Sequence, residues 1–463
     1  MRVREKIELS GYFWLPDKAD HKLPGTLSIA DGGDIKLDVV GLFKEHPSIE
    51  KKDYELKRII GNVEKHGLVT LDDCFYKYKN YAFVGISKSK IVVNKAFFGV
   101  SYDEGEDVLF TEMTFSVEGL DEWLEISGIE IEYFNEFRSA SISYNPPEKL
   151  VYHLGDGTGI SVLFAYTLPA PSKISEAKVT QKAYFRINSK EEKRFSYFTS
   201  VAHKIANMLC FAIDQTVSIN EVTTMLKNVN IGIVGEETRP VEISIYYSSL
   251  PFSAEIPAIS SHRMLFRYAD IRHEAERFIR NWFSAYDIIA PSMGLYFAAK
   301  LVGHKYLDSK FLALAQGLET YSRRTCDEKT MDDAEFSTIK EGLLSACPDD
   351  KKEWLESRLA YGNEISLSKR LKNIIAPFKE ILGGSRDRES FVRKIDTRNY
   401  LTHFDERLKT RAATGKAIWP IYIKMEAIFQ LQLLTVLGFS KAEISDLVGK
   451  SSEVAQKLRG GGA

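Results

Sequence analysis

The spacing of apolar residues changes near residue 250, and this change limits the folds open to the chain more than any other feature. Before it, apolar and polar residues alternate, as in VLFTEMTFSV (108–117) and RPVEISIYYS (239–248). After it, apolar residues recur every three or four positions, as in WPIYIKMEAIFQLQLLTVLGF (419–439). A period of two is typical of β-strands, and a period near 3.6 is typical of α-helices. The sequence therefore predicts an α+β multidomain protein, with a β-rich N-terminal domain followed by an all-α helical bundle.

Turn residues and short polar stretches indicate where the elements end. Gly32 and Gly33 predict a turn between two strands. The segment GDGTGI (155–160) predicts a hairpin turn, because neither the helix nor the Lys-Ser/Thr pair of a phosphate loop follows it. One helix is expected within the β-rich half, over SVAHKIANMLCFAI (200–213). Ser and Pro interrupt both periodicities around residues 248–261, so we expect a domain over 1–250, a linker over 251–262 and a helical domain over 263–463.

The composition excludes several classes of protein. The 463 residues carry a net charge of −2, which argues against a protein coated in positive charge. The four cysteines form no CxxC pair, so neither a disulfide framework nor a zinc site is indicated. The charged start MRVREKIELSGYF lacks the apolar run of a signal peptide, and no stretch reaches the roughly 18 apolar residues of a membrane span. We expect a cytoplasmic protein with no metal, cofactor or membrane partner.

One short segment, DTRNYLTHFD (396–405), places an arginine, an asparagine and a histidine inside a predicted helix. At about 100° per residue, one face of this helix carries the polar side chains of Arg398, Asn399, Thr402 and His403. The opposite face, which we expect to anchor the helix in the bundle, carries Tyr400, Leu401 and Phe404. Asp396 or Thr397 is the expected N-cap. Arg398 and Asn399 would then lie in the first turn, where free backbone N–H groups favour a phosphate.

The same segment also fits an ordinary amphipathic helix with a polar surface. An arginine five residues before a histidine occurs by chance in about one of every two or three chains of this composition. Three features distinguish this segment: Asn399 directly after the arginine, a capping residue directly before it, and a long apolar helix that follows.

Two parts of the sequence resemble known families. RNYLTH (398–403) is similar to the Arg-Asn-x-x-x-His signature of HEPN ribonucleases. FWLPDKADHKLPGTLSI (13–29), VTLDDC (69–74) and FTEMTFSVEGLDEWLEISG (110–128) resemble the N-terminal domain of the ApeA family of bacterial antiphage proteins. The resemblance implies a HEPN domain in which Arg398 and His403 are the catalytic pair, a homodimer or higher homo-oligomer, and RNA, including tRNA, as substrate. It also implies abortive infection by a toxic nuclease that responds to a phage-derived trigger.

The chemistry of RNA cleavage agrees with these residue types. No cluster of carboxylates, histidines or cysteines in the sequence indicates a metal site, so the attacking group is expected to be the 2′-hydroxyl of the RNA. Histidine titrates near neutral pH, which suits His403 to proton transfer. The permanent charge of Arg398 suits it to phosphate oxygens, and Asn399 can hold the phosphate or orient His403. Because the reaction uses two proton-transfer groups, we expect a two-fold dimer that joins two such faces.

Several further residues carry weaker signals. Glu319 lies where the family resemblance suggests an acidic group that orients Arg398, and a plain surface glutamate is an equal alternative. Thr402 and Asp396 are expected to support the catalytic pair. The candidates for RNA binding form the basic run after the motif: Arg407, Lys409, Arg411 and Lys416. Such a run also fits a solvated helix face without a ligand.

Two functions remain open at this point. The first is a metal-independent endoribonuclease of antiphage defence, in which the β-rich domain senses the trigger, restrains the nuclease or presents RNA. The second is a non-catalytic HEPN module that dimerises and binds nucleic acid. The intact Arg398, Asn399 and His403 favour the first, because a degenerate module would be expected to have lost one of them. Asp405 stands where HEPN toxins silenced by adenylylation carry a tyrosine, so control by a partner nucleotidyltransferase is not expected.

Overall fold

A computed structural model describes residues 1–43, 54–82, 84–170, 174–231, 239–300, 306–384, 391 and 395–459. The chain divides into two compact units, Met1–Arg280 and Asn281–Ala463. The first unit is β-rich and the second is helical. The predicted α+β class is therefore confirmed.

Six strands of the first unit close into an antiparallel barrel. These strands are β1 (Ile7–Trp14), β2 (Leu23–Ala30), β3 (Asp34–Val40), β4 (Glu55–Val63), β5 (Gly67–Asn80) and β6 (Lys88–Phe98). Their order is β6-β3-β2-β1-β4-β5, and the pairing of β5 with β6 closes the circle. The predicted turn between β2 and β3 is present. Gly32 and Gly33 have φ values of 88° and 72°, a left-handed backbone that glycine adopts without strain.

Six further strands extend the sheet beyond the barrel. These are β7 (Leu109–Val117), β10 (Leu150–His153), β11 (Thr158–Thr167), β12 (Thr180–Arg194), β13 (Ile219–Ile231) and β14 (Arg239–Tyr247). Their order is β10-β11-β12-β7-β13-β14, and β14 pairs with β6 of the barrel. A separate hairpin consists of β8 (Ile129–Phe134) and β9 (Ser139–Tyr144). The predicted hairpin turn at GDGTGI joins β10 to β11, as expected.

Two helices cover the extended sheet. They are α1 (Leu120–Leu124) and α2 (Phe195–Ile213), and α2 is the helix predicted within the β-rich half. Helix α2 packs on β7 and β12, where alternate residues such as Phe115 and Phe185 are buried. The rings of these two residues lie 5.8 Å apart between centroids. The alternation seen in the sequence is thus the inward face of this sheet.

The first unit continues beyond the predicted linker. Residues 251–262 are largely irregular, and the segment after them includes α3 (Tyr268–Ile271). This segment packs within the first unit, where Tyr152 Oη donates to Tyr268 Oη at 2.9 Å and Trp123 Nε1 donates to the carbonyl of Phe266 at 3.2 Å. The division between the compact units falls inside α4 (Ala275–Lys300). The compact units are defined by packing and not by function, so residues 1–250 and 263–463 remain our proposal for the functional domains.

The second unit is a bundle around one apolar helix, α10 (Trp419–Leu437). Helix α10 packs against α5 (Leu307–Thr325), α8 (Leu367–Ile375), α11 (Lys441–Lys450) and α12 (Ser452–Leu458). The remaining helices of the described part are α6 (Asp333–Ser345), α7 (Lys352–Leu359) and α9 (Ile395–His403). Helix α9, which contains the Arg-Asn-x-x-x-His segment, packs against α5. Among the described residues, no helix is both long and apolar enough to cross a membrane.

A buried carboxylate on α10 stabilises the bundle. Oε1 of Glu426 lies 2.9 Å from the Nζ atoms of both Lys300 and Lys457. Burial by itself raises the pKa of a carboxyl group, but the two ammonium groups outweigh burial and lower the pKa of Glu426 from 4.5 to about 2. The folded pKa is below the unfolded one. The stabilisation is therefore fully present above about pH 4.5 and is lost as the pH falls toward 2.

We predict that Glu426→Gln lowers the free energy of unfolding at pH 7 by about 3 kcal/mol, because two partly buried ammonium groups lose their buried counter-charge. Urea denaturation measures this change, and Glu335→Gln at an exposed position is the matched control. The difference between the wild type and Glu426→Gln should narrow at pH 3. A variant no less stable than the control at pH 7 would show that the ion pairs do not stabilise the bundle.

Candidate active site

Helix α9 presents the arginine and the histidine on its accessible side. The helix begins at Ile395 and ends at His403, and Phe404 then adopts a left-handed backbone with φ of 51°. Arg398 and Asn399 are half-buried, and Thr402 and His403 are exposed. The four polar residues predicted to share one face thus all reach the surface.

The predicted cap of α9 is wrong. The helix begins one residue before Asp396, so both Asp396 and Thr397 lie in its first turn. Asp396 instead forms an ion pair with Arg411, and Oγ1 of Thr397 accepts a hydrogen bond from the N–H of Ala413 at 2.9 Å. Because Asn399 lies in the second turn, its backbone N–H is not among the free N–H groups expected at the start of the helix.

The predicted anchoring face also needs one correction. Phe404 is 68% exposed, because the helix ends before it and the left-handed turn directs the chain away. Its ring packs on Tyr400 at 5.8 Å between centroids, and Tyr400 and Leu401 are half-buried. Thr397, which is fully buried, belongs to the face that anchors the helix.

The guanidinium of Arg398 is held by two acceptors. Its Nη2 donates to Oε2 of Glu319 at 3.2 Å, and its Nη1 donates to Oδ1 of Asn399 at 3.2 Å. The side chains of Arg398 and Glu319 are 28% and 18% exposed, so the pair is partly shielded from water but open on one side. A guanidinium has five N–H donors, so donors remain for an anion at that open side. The structure therefore brings Arg398, Asn399 and Glu319 together.

Glu319 is itself held by charged residues that sequence reasoning missed. Its Oε1 accepts hydrogen bonds from Nε and Nη2 of Arg323 at 3.3 and 3.2 Å. Arg323 also pairs with Glu364, whose Oε2 accepts from Nη2 of the buried Arg370 at 3.2 Å. We call this alternation of charges the arginine–glutamate network: Arg398, Glu319, Arg323, Glu364 and Arg370. Spacing of four residues on α5 could have suggested the link from Glu319 to Arg323, but no local pattern points to the last two.

A close approach of two helices sets the position of Glu319. A Cβ atom at Gly317 of α5 would lie 2.9 Å from Cε2 of Phe429 on α10, so only glycine fits there without movement of the buried ring. Arg398 contributes to the wall of a small apolar cleft between these helices and α8, lined in part by Phe311, Leu371 and Met425. The stem of Arg398 is thus packed, while its head reaches the charged network.

His403 is the exposed end of the motif. Within the described ranges, no side chain forms a hydrogen bond with its ring. The neighbouring Asp405 is held charged: the side chain and the backbone N–H of Arg407 lower its pKa, and the charge of His403 adds a smaller effect. Oγ1 of Thr402 donates to the carbonyl of Arg398 at 2.7 Å, so this hydroxyl is bound to the helix backbone.

The basic run after α9 has no α-helix. It includes two short 3₁₀ segments, Glu406–Leu408 and Gly415–Ile418, so the solvated helix face considered above does not form. Lys416 is exposed and pairs with no described residue. The other three cations form ion pairs with neighbouring carboxylates: Arg407 with Asp405, Lys409 with Glu406, and Arg411 with Asp396. Between residues 396 and 416, five Lys or Arg side chains stand against three Asp or Glu, so this surface keeps a positive excess.

Comparison with known families identifies both halves of the chain. The family model described as ApeA N-terminal domain 1 matches residues 8–282, which is more than half of the sequence. The chain belongs to the ApeA family. A second model, described as Apea-like HEPN, matches residues 312–443 and includes Glu319, Arg398 and His403. The resemblance drawn from the sequence is confirmed, and the helical unit of this ApeA-family member carries the HEPN domain of an antiphage nuclease family.

Comparison with curated proteins and with solved structures gives no match. In the part of the chain that the structure describes, no group of three or more His, Cys, Asp or Glu side chains is arranged to hold a metal ion.

The hydrogen bond from the N–H of Ala413 to Thr397 joins the basic run to α9. Substitution of two threonines of α9 tests how much this hydrogen bond stabilises the protein. We predict that Thr397→Val lowers the free energy of unfolding by about 1 kcal/mol, because the partly buried N–H of Ala413 loses its acceptor. The matched variant Thr402→Val removes an exposed hydroxyl and should change stability by less than about 0.5 kcal/mol. Urea denaturation of both variants gives the comparison. Equal stabilities would show that this hydrogen bond does not hold the segment.

Proposed function

We propose that this protein is a metal-independent HEPN endoribonuclease that acts in the cytoplasm in antiphage defence by abortive infection. The observation that carries the proposal is the arrangement on α9. Arg398 is held by Glu319 and Asn399 with donors to spare, and an exposed histidine follows five residues later. A phosphate bound by the guanidinium would lie on the same helix face as the imidazole.

In the proposed reaction, the 2′-oxygen of the RNA attacks the adjacent phosphorus. The bond from phosphorus to the 2′-oxygen forms, and the bond from phosphorus to the 5′-oxygen breaks. One imidazole accepts the 2′-hydroxyl proton and a second, protonated imidazole gives a proton to the departing 5′-oxygen. Arg398 stabilises the additional negative charge that develops on the phosphorane oxygens. The products are a 2′,3′-cyclic phosphate and a 5′-hydroxyl.

Glu319 is proposed as a positioning residue for Arg398. An unpaired arginine can adopt many rotamers, and the two fixed acceptors on Glu319 and Asn399 reduce this freedom before a substrate binds. Thr402 and Asp396 support the site indirectly, through the helix backbone and the ion pair with Arg411.

The proposed substrate is RNA, with tRNA among its targets. The positive excess after α9, including the exposed Lys416, supports contacts with the RNA backbone, although Arg407, Lys409 and Arg411 would have to share their charge with neighbouring carboxylates. HEPN domains typically dimerise and act on RNA. We therefore propose a homodimer in which each chain supplies one His403 to a shared cleft, and a phage-derived trigger that acts through the β-rich unit.

We predict that Arg398→Ala and His403→Ala each reduce RNA cleavage at least about 100-fold in protein that still folds and melts cooperatively, because neither side chain belongs to the buried core. Cleavage of total RNA in the presence of EDTA is measured beside thermal melting. Arg358→Ala and His273→Ala, at exposed positions elsewhere, are the matched controls and should cleave normally.

The end groups of the cleaved RNA test whether the 2′-hydroxyl is the attacking group. A 2′-deoxy substitution at the cut nucleotide should block cleavage, and the 3′ end of the upstream fragment should ligate to an adapter only after removal of the cyclic phosphate. Loss of all activity in EDTA would contradict the metal-independent mechanism. RNA binding without cleavage by the wild type would favour the non-catalytic HEPN module.

The two inactive variants also test how the site is shared. If each site takes Arg398 from one chain and His403 from the other, a mixture of Arg398→Ala and His403→Ala should regain about a quarter of wild-type activity, because random exchange makes half of the dimers mixed and each mixed dimer keeps one of two sites. The single cleft proposed above needs both His403 residues, so it predicts no rescue. Light scattering measures the mass of the wild type separately. A monomer that still cleaves RNA would refute the dimer, and rescue to about a quarter of wild-type activity would contradict a single cleft that needs both His403 residues.

A further inference from the structure

The hairpin β8–β9 extends from the first unit with almost all of its side chains in water. Among the described residues, its two strands pair only with each other. Its base is attached to the main sheet, because the N–H of Gly128 donates to Oε1 of Gln181 at 2.9 Å and the ring of Tyr144 packs on Tyr166 at 4.9 Å. A two-stranded hairpin is at best marginally stable alone in water, and a third strand would stabilise it.

One face of the hairpin is apolar. The cross-strand pairs on this face are Ile129–Tyr144, Ile131–Ile142 and Tyr133–Ala140. Ile131, Tyr133 and Ile142 are about half exposed, and Phe137 at the turn is 81% exposed with its ring packed on Tyr133. A contiguous exposed apolar surface of this kind marks an interaction site more often than isolated apolar residues do.

On the face opposite the apolar one, β8 and β9 carry different side chains. On β8 this face carries Phe134 at the turn end together with Glu130 and Glu132. The two glutamates are exposed and form no ion pair with any described residue. On β9 this face carries only serines: Ser139, Ser141 and Ser143. Over residues 129–133, the outer edge of β8 therefore offers alternating apolar and acidic side chains, and its carboxylates lack partners within the described structure.

We propose that the outer edge of β8 binds an extended segment of a partner protein in which apolar residues alternate with lysine or arginine. Such a segment would add a third strand through main-chain hydrogen bonds. Its apolar side chains would lie beside Ile131 and Tyr133, and its cations would lie beside Glu130 and Glu132 as cross-strand pairs. This binding site is independent of the ribonuclease proposal.

The charges favour this occupant over three others. RNA and anionic membranes would be repelled by Glu130 and Glu132. If β8 of a second chain paired with this edge with the two apolar faces on the same side, the glutamates of the two chains would lie opposite each other. Like charges opposite each other are destabilising. A partner strand with apolar residues on one face and cations on the other makes apolar contacts with the first face of β8 and ion pairs with the glutamates of the second.

The test uses two labelled eight-residue peptides and the full chain. One peptide alternates valine with lysine, and the other alternates valine with glutamate. Fluorescence anisotropy at physiological salt should show the lysine peptide binding about tenfold more tightly than the glutamate peptide. The variant Glu130→Lys/Glu132→Lys should reverse this preference. The control Glu104→Lys/Glu353→Lys makes the same change in net charge at two other exposed positions and should keep the wild-type preference.

Other outcomes would overturn the proposal. If both peptides bind equally, if neither binds, or if the control reverses the preference as well, the edge of β8 is not the site. The variant Ile131→Ser/Tyr133→Ser removes the apolar contacts outside the core and should weaken the lysine peptide without changing the mass found by light scattering. A fall in mass for this variant would identify a second copy as the occupant. Hairpin-dependent binding of anionic vesicles or single-stranded RNA would identify those classes instead.

Discussion

The burial of α10 on all sides is the constraint on which the helical unit depends. A helix that is apolar all round must be covered by other helices, and α5, α8, α11 and α12 provide that cover. Its few buried polar side chains find specific partners: Gln430 donates to Tyr296, Gln432 donates to the carbonyl of Ile374, and Glu426 pairs with two lysines. These contacts determine which helix lies where, because an unpaired buried polar group is costly. Helix α5, in turn, brings Glu319 to α9.

The arginine–glutamate network orients the candidate site more than it stabilises the fold. Ion pairs at partly exposed positions contribute about 0–1 kcal/mol each, since the charges are screened and the side chains lose rotamer freedom. Arg398, Glu319 and Arg323 are all in this partly exposed range. Their effect is to limit where the Arg398 guanidinium can point. Arg370 at the far end is 4% exposed, so the network is anchored in the interior and ends at the surface. An arginine prepared in this way can meet a phosphate without first reorganising.

The first unit contains both a closed barrel without free strand edges and a hairpin with unpaired outer edges. In the barrel, the pairing of β5 with β6 leaves no free edge among β1 to β6. The β8–β9 hairpin keeps its edges unpaired within the described residues, although its alternation of apolar and charged residues is that of a strand with neighbours. Side chains therefore alternate both in the barrel, where every strand has neighbours on both sides, and in the β8–β9 hairpin, whose outer edges are unpaired within the described residues.

The sequence by itself determined the class of fold, the helix α2, the turns at Gly32 and at GDGTGI, and the residues that share the polar face of α9, because each of these depends on neighbours within a few positions. Family resemblance added Glu319. Local pattern misjudged the ends of α9: Asp396 and Thr397 bind residues of the following segment instead of capping the helix, and Phe404 lies past its end. Only the tertiary structure decided that Glu319 meets Arg398 across 79 residues of chain, and that Arg323, Glu364 and Arg370 continue the network. The physical reason is that periodicity records which face of an element is buried, whereas the partner on that face is chosen by helix packing between segments far apart in the chain.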